Sequence, residues 1–107
     1  MIDEKHYTYR VTWSEEDEEF VALCAEFPSL SFLAKDRNQA IDGLTEIIFD
    51  ILKDMENCGE IPPQPLAQTK FSGKFLVRIP PEQHRDLVIR AAEEGVSLNR
   101  YISSKLV

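Results

Sequence analysis

Apolar and polar residues alternate from Tyr7 to Trp13. Tyr7, Tyr9, Val11 and Trp13 lie on one side and His6, Thr8, Arg10 and Thr12 on the other, which is the period of a strand with one buried face. An acidic run, Ser14-Glu-Glu-Asp-Glu-Glu19, interrupts the pattern, and Phe20 to Ala25 resumes it; the run is therefore expected to be the solvated turn of a hairpin. A third short strand, Leu30 to Ala34, follows the break at Pro28-Ser29. Asp36 and Gln39 then have the spacing of a capping box, in which the carboxylate accepts from free backbone amides of a helix start. From there Ala40, Ile41, Leu44, Ile47, Ile48, Ile51, Leu52 and Met55 recur at helical spacing and form one stripe, which Gly59 ends. The pattern predicts an α+β chain whose first part, residues 1–60, is a small three-stranded antiparallel sheet with one covering helix. Ile61-Pro-Pro-Gln-Pro65 lacks amide donors at its prolines and favours extended backbone, so residues 61–72 are expected to form a semi-rigid spacer.

Residues 73–107 change period twice. Lys74 to Ile79 alternates, with Phe75, Val77 and Ile79 on one side and Lys74, Leu76 and Arg78 on the other. Pro80-Pro81 ends that strand, and Pro81 suits the first turn of a helix. Leu87, Val88, Ala91 and Ala92 give this helix an apolar face and Gly95 closes it. Ser97 is a good N-cap for a second helix, which continues through Tyr101, Ile102 and Leu106. One strand and two short helices have no neighbouring strand and too little apolar surface to fold alone. The simplest partner is a second copy, its strand paired antiparallel about a twofold axis, with Phe75, Val77, Ile79, Leu87 and Ile102 forming a shared core. Two copies of Lys74, Leu76 and Arg78 would then face outward on a ribbon that fits the major groove of DNA. Free amides around Ser97, Leu98 and Asn99, at the positive end of the second helix, would clamp a phosphate. Charge on an edge strand can also serve only to discourage aggregation; the order strand, helix, Gly-Val-Ser-Leu-Asn turn, helix favours DNA.

Charge sharpens this division. The chain carries a formal −7, but residues 1–66 sum to −10 and residues 67–107 to +3. An acidic body repels nucleic acid and attracts basic proteins, whereas a basic tail has the sign that phosphate contacts need. Solubility alone would explain the acidity and not its segregation. The two cysteines, Cys24 and Cys58, form no metal-type spacing and are expected to be reduced. No run of apolar residues is long enough to cross a membrane, and the polar start has no leader pattern, so a cytoplasmic protein is expected.

Residues 73–106, Gly-Lys-Phe-Leu-Val-Arg-Ile-Pro-Pro-Glu-Gln-His-Arg-Asp-Leu through Gly-Val-Ser-Leu-Asn-Arg-Tyr-Ile, resemble the ribbon-helix-helix tail of HicB antitoxins. The front part is similar to the partial ribonuclease-H-like domain of that family, with its Trp-Ser-Glu-Glu-Asp hairpin, Phe-Val-Ala strand and Glu-Phe-Pro-x-Leu turn. The hairpin lacks the family's usual glycine, and Ser29 stands where many relatives have glycine. The resemblance implies a type II toxin–antitoxin role. The partner would be a HicA-like toxin, a small basic ribonuclease that cleaves mRNA, and the chain would repress its own operon as a dimer, or a pair of dimers, on double-stranded operator DNA. It implies no cofactor.

Two rival readings bear on the same residues. Asp42, Glu46, Asp50 and Asp54 recur every four residues on the long helix, opposite its apolar stripe. A solvated face explains such a row first, a docking surface for the basic toxin second, and a metal site third. His6 and His84 are the only histidines and complete no triad or zinc pattern, so no catalytic residue and no metal ligand are assigned. The second rival is a ribbon-helix-helix transcriptional regulator whose front domain senses a small ligand, with no toxin partner.

Overall fold

The computed structural model describes residues 2–107. Its chain divides into two compact units, the first ending at Phe71 and the second spanning Ser72–Val107. In the first unit, a 3-10 turn at Glu4–His6, capped by the Asp3 carboxylate on Lys5 N at 2.9 Å, delivers the chain into β1 (Tyr9–Ser14). β2 (Glu19–Cys24) pairs antiparallel with β1, placing Tyr9 opposite Cys24 and Trp13 opposite Phe20. β3 (Ser31–Ala34) pairs antiparallel with β2 on its other side, and the sheet order is β1-β2-β3. The α+β fold expected for this part is therefore observed. β1 begins later than the alternation suggests because Tyr7 is spent on a different contact: its ring is buried edge-on against Phe27, and its hydroxyl donates to the Pro63 carbonyl at 2.7 Å.

α1 (Arg37–Cys58) lies over one face of this sheet. Its start is fixed by the Asp36 carboxylate accepting from Gln39 N at 3.3 Å, and its end by Gly59 in the left-handed region at φ 73°. Ala40, Leu44, Ile48 and Leu52, one per turn, are buried together with Ala22, Cys24 and Tyr7, and Tyr9, Val11, Phe20, Phe32 and Ala34 pack around them. Truncating Leu44 or Ile48 to Ala would cost roughly 2–5 kcal/mol, most of the stability of a unit this small. Gly43 lets the helix approach β3: a Cβ at this position would collide with the Phe32 ring.

The helix stop does not end the unit. Residues 61–71, expected as a spacer, are held against the front fold, and the boundary falls between Phe71 and Ser72. Proline lacks a donor but keeps its carbonyl and an apolar ring. The Pro63 carbonyl accepts a hydrogen bond from the Tyr7 hydroxyl, the Pro65 side chain is fully buried, and Leu66 N donates to Glu26 Oε2 at 2.9 Å. A 3-10 turn at Leu66–Gln68 follows, with the Gln68 side-chain amide 2.9 Å from His6 Nδ1.

The second unit contains α2 (Pro81–Glu94) and α3 (Leu98–Lys105). Pro81 occupies the first helical position of α2, and Gly95 at φ 71° ends it with Val96 N bonded to the Ala91 carbonyl at 3.0 Å. Ser97 caps α3 by accepting from Arg100 N at 3.1 Å. Ala91 and Tyr101 are the buried residues of this helix pair.

Candidate functional site

Two surfaces carry the chemistry read from the sequence, one in each unit. In the second, residues 74–79 form no strand, since a strand is defined by bonds to a neighbour and no strand lies elsewhere in this unit. Phe75, Leu76 and Val77 stand 77%, 82% and 60% exposed. Apolar side chains at that exposure are costly in water, at about 25 cal/mol for each Å² left uncovered. Phe75, Val77 and Ile79 border an open groove of about 640 Å³ whose other wall is Leu87, Leu98 and Ile102. All five residues expected to form a shared core thus meet at one vacancy between the 74–79 segment and its own helices. Arg78 also reaches the rim of this groove, whereas Lys74 and Leu76 do not line it.

At the start of α3 the Ser97 hydroxyl occupies the Arg100 amide. Helix geometry leaves the amides of Leu98 and Asn99 without intrahelical acceptors. Lys105 closes the other end of α3, its ammonium 5.3 Å from the centre of the buried Tyr101 ring.

In the first unit Asp42, Glu46, Asp50 and Asp54 are all exposed along the outer face of α1. Among the described residues none of them has a salt-bridge partner. Phe49 lies in the same face with Lys53 Nζ 4.6 Å from its ring centre, so one cation already covers it. Among the described residues no group of three or more His, Cys, Asp or Glu side chains could hold a metal ion. Cys24 is buried beneath the sheet, and that burial pushes its thiol pKa up, away from reactivity.

Sequence reasoning missed Glu26. Its carboxylate accepts from Thr8 N at 2.9 Å, Thr8 Oγ1 at 3.1 Å and Leu66 N at 2.9 Å, tying the approach to β1 and the proline segment to the exit of β2. Desolvation pushes its pKa up, but the amides of Leu66 and Thr8 win, and the carboxyl titrates below its ordinary 4.5. The only sequence signal was its place in Glu-Phe-Pro-x-Leu, which names a motif without its mechanism.

Residues 55–106, from the last turn of α1 through α3, match the family model described as HicB family. Just under half of the chain is thus similar to the HicB family. No curated protein and no solved structure matches it. The matched segment contains the whole 74–79 stretch, with exposed Phe75, Leu76 and Val77, and the groove beside it. The family is one of antitoxins. Among the described residues, no helix is long and apolar enough to cross a membrane.

Proposed function

We propose that this chain is the antitoxin of a type II toxin–antitoxin pair, binding a HicA-like mRNA-cleaving toxin through its acidic first unit and repressing its own operon through its basic tail. It has no catalytic role in this scheme. The observation that carries the reading is the exposed pair Phe75 and Val77, with half-buried Ile79 in the same row, beside an apolar groove in a tail of net positive charge. A second copy supplies what that row lacks. Its 74–79 strand gives the missing backbone partners, and the two apolar rows close the grooves, making a ribbon-helix-helix dimer. Lys74, Leu76 and Arg78 of both copies then enter the major groove, where Arg78 binds guanine by two parallel hydrogen bonds and Leu76 meets a thymine methyl. The amides of Leu98 and Asn99, with Ser97, fix the register on phosphate. The acidic row Asp42, Glu46, Asp50 and Asp54 belongs to the unit that meets the toxin.

The test is Arg78→Ala in the full chain, read by operator binding and by rescue of growth during co-expression with the toxin. Operator affinity is expected to fall by about tenfold or more, from the roughly 1–3 kcal/mol of one bidentate base contact, with rescue intact. Simultaneous loss of both activities refutes the division of labour. A strictly monomeric full chain at micromolar concentration refutes the dimer. Operator binding without any toxin complex would instead support a regulator with a ligand-sensing front unit.

A further inference from the structure

The hairpin between β1 and β2 is built against its own stability. Its five residues Glu15, Glu16, Asp17, Glu18 and Glu19 are consecutive carboxylates, and among the described residues only Glu19 has an ion-pair partner, Lys35 at 3.8 Å. Glu18 is held at φ 52°, a left-handed conformation that a side chain disfavours and glycine would take freely. The turn is nonetheless well fixed: Ser14 Oγ donates to Asp17 Oδ2 at 2.9 Å and accepts from Asp17 N at 3.3 Å. Beside it stands Trp13, 48% exposed on the helix side of the sheet, packed edge-on against Phe20 at 5.1 Å and pinned by its indole N–H donating to Glu15 Oε2 at 2.6 Å. The Arg37 guanidinium lies over the Phe20 ring, its carbon 5.9 Å from the centre, and among the described residues no cation lies over Trp13 itself. A rigid, half-exposed indole at the foot of a turn whose residues 15–18 carry carboxylates without ion-pair partners among the described residues has what an interface anchor requires: large apolar area, little rotamer entropy to lose, and a field that draws in the opposite charge.

We infer that this hairpin, rather than the row along α1, is the anchor for the toxin: Trp13 takes an Arg or Lys side chain, or an apolar notch rimmed by them, on a basic protein surface, and the acids around it steer that surface in. This rests on the antitoxin reading above. The α1 row lacks the second component, because Phe49, the aromatic in its face, is already covered by Lys53.

Trp13 is the only tryptophan, so the full chain grown on 5-fluorotryptophan gives one fluorine resonance. Adding a purified HicA-type toxin from the same operon is expected to shift or broaden it. Trp13→Ala is expected to weaken the complex by at least about 30-fold, as interface hot spots do. The triple variant Glu15→Gln/Glu16→Gln/Glu18→Gln, which retains an acceptor for the indole and leaves the Ser14–Asp17 bonds in place, is expected to slow association about tenfold at low salt. The quadruple variant Asp42→Asn/Glu46→Gln/Asp50→Asn/Asp54→Asn is expected to keep affinity within about threefold, the range of rim charges. A complex that forms with the resonance unmoved, or that survives the hairpin variants and is lost with the α1 variant, overturns this assignment and leaves the antitoxin reading standing. Failure of the unaltered chain to bind the toxin at all overturns both.

Discussion

Glu26 carries more of the first unit than its place in an exposed turn suggests, and replacing it measures how much. Its carboxylate gathers three donors, the Thr8 amide and hydroxyl and the Leu66 amide, all within 3.1 Å. Hydrogen bonds to a charged acceptor contribute about 1.5–3 kcal/mol each when dry. Here water reaches the group, which reduces each to the order of 1 kcal/mol, and Glu26→Ala is expected to cost about 2–3 kcal/mol. For a unit of this size that is a Tm lower by roughly 10–20 °C. Glu26→Gln keeps one carbonyl acceptor but presents its NH₂ to an amide donor, so it should fall about halfway. The sign with pH follows from the depressed folded pKa: the contribution is fully present above the unfolded value of 4.5 and is lost as pH falls through the lower folded value. The assay is thermal unfolding followed by Trp13 fluorescence at pH 7 and across the acid range, with hydrogen exchange of the Leu66 amide as the local readout. Both variants melting within about a degree of the parent, with Leu66 protection unchanged, would refute the account.

Two substitutions test the backbone arguments. Gly43→Ala would ordinarily stabilise a helix by about 1 kcal/mol, but the new methyl meets the Phe32 ring, so the Tm is expected to fall; a rise would show that the ring gives way without cost. Glu18→Gly relieves a left-handed side chain at φ 52° and removes one of five adjacent charges, and is expected to raise the Tm by a few degrees, about 4–8 °C for each kcal/mol gained. An unchanged or lower melting temperature would mean that the turn holds no such strain.

What the sequence made legible was local. The α1 stripe, the Asp36 and Ser97 caps, Pro81 at a helix start and the glycine stops at 59 and 95 are each decided within one or two turns of chain, and each stands where the spacing put it. The features that escaped depend on residues far apart in sequence. Nothing near Glu26 announces Leu66, and nothing near Gly43 announces the Phe32 ring. Glu18 was hidden for a different reason: the missing glycine was visible, but only the backbone shows that a glutamate takes over its left-handed place. In the tail, the alternation of Phe75, Val77 and Ile79 was plain, while the strand it implies needs bonds that one chain cannot supply.

The same distinction decides where the chain can be cut. Composition marks residues 61–72 as a spacer, and a spacer can be removed from a domain without harm. The bonds say otherwise: Tyr7 Oη on the Pro63 carbonyl, Leu66 N on Glu26, Thr69 Oγ1 on the Pro65 carbonyl at 3.0 Å, and a fully buried Pro65 ring make this stretch the outer edge of the first unit's core. A chain ending at Phe71 should therefore keep the cooperative melt of the first unit. A chain ending at Glu60 leaves the Tyr7 hydroxyl without its acceptor, the Glu26 carboxylate short of one donor and the surface under Pro65 bare. At about 1 kcal/mol for each lost bond and 25 cal/mol per Å² of exposed apolar surface, the shorter chain should melt at least about 10 °C lower or fail to fold. Circular dichroism of the two fragments decides it: equal melting temperatures would mean that the proline segment is a tether after all.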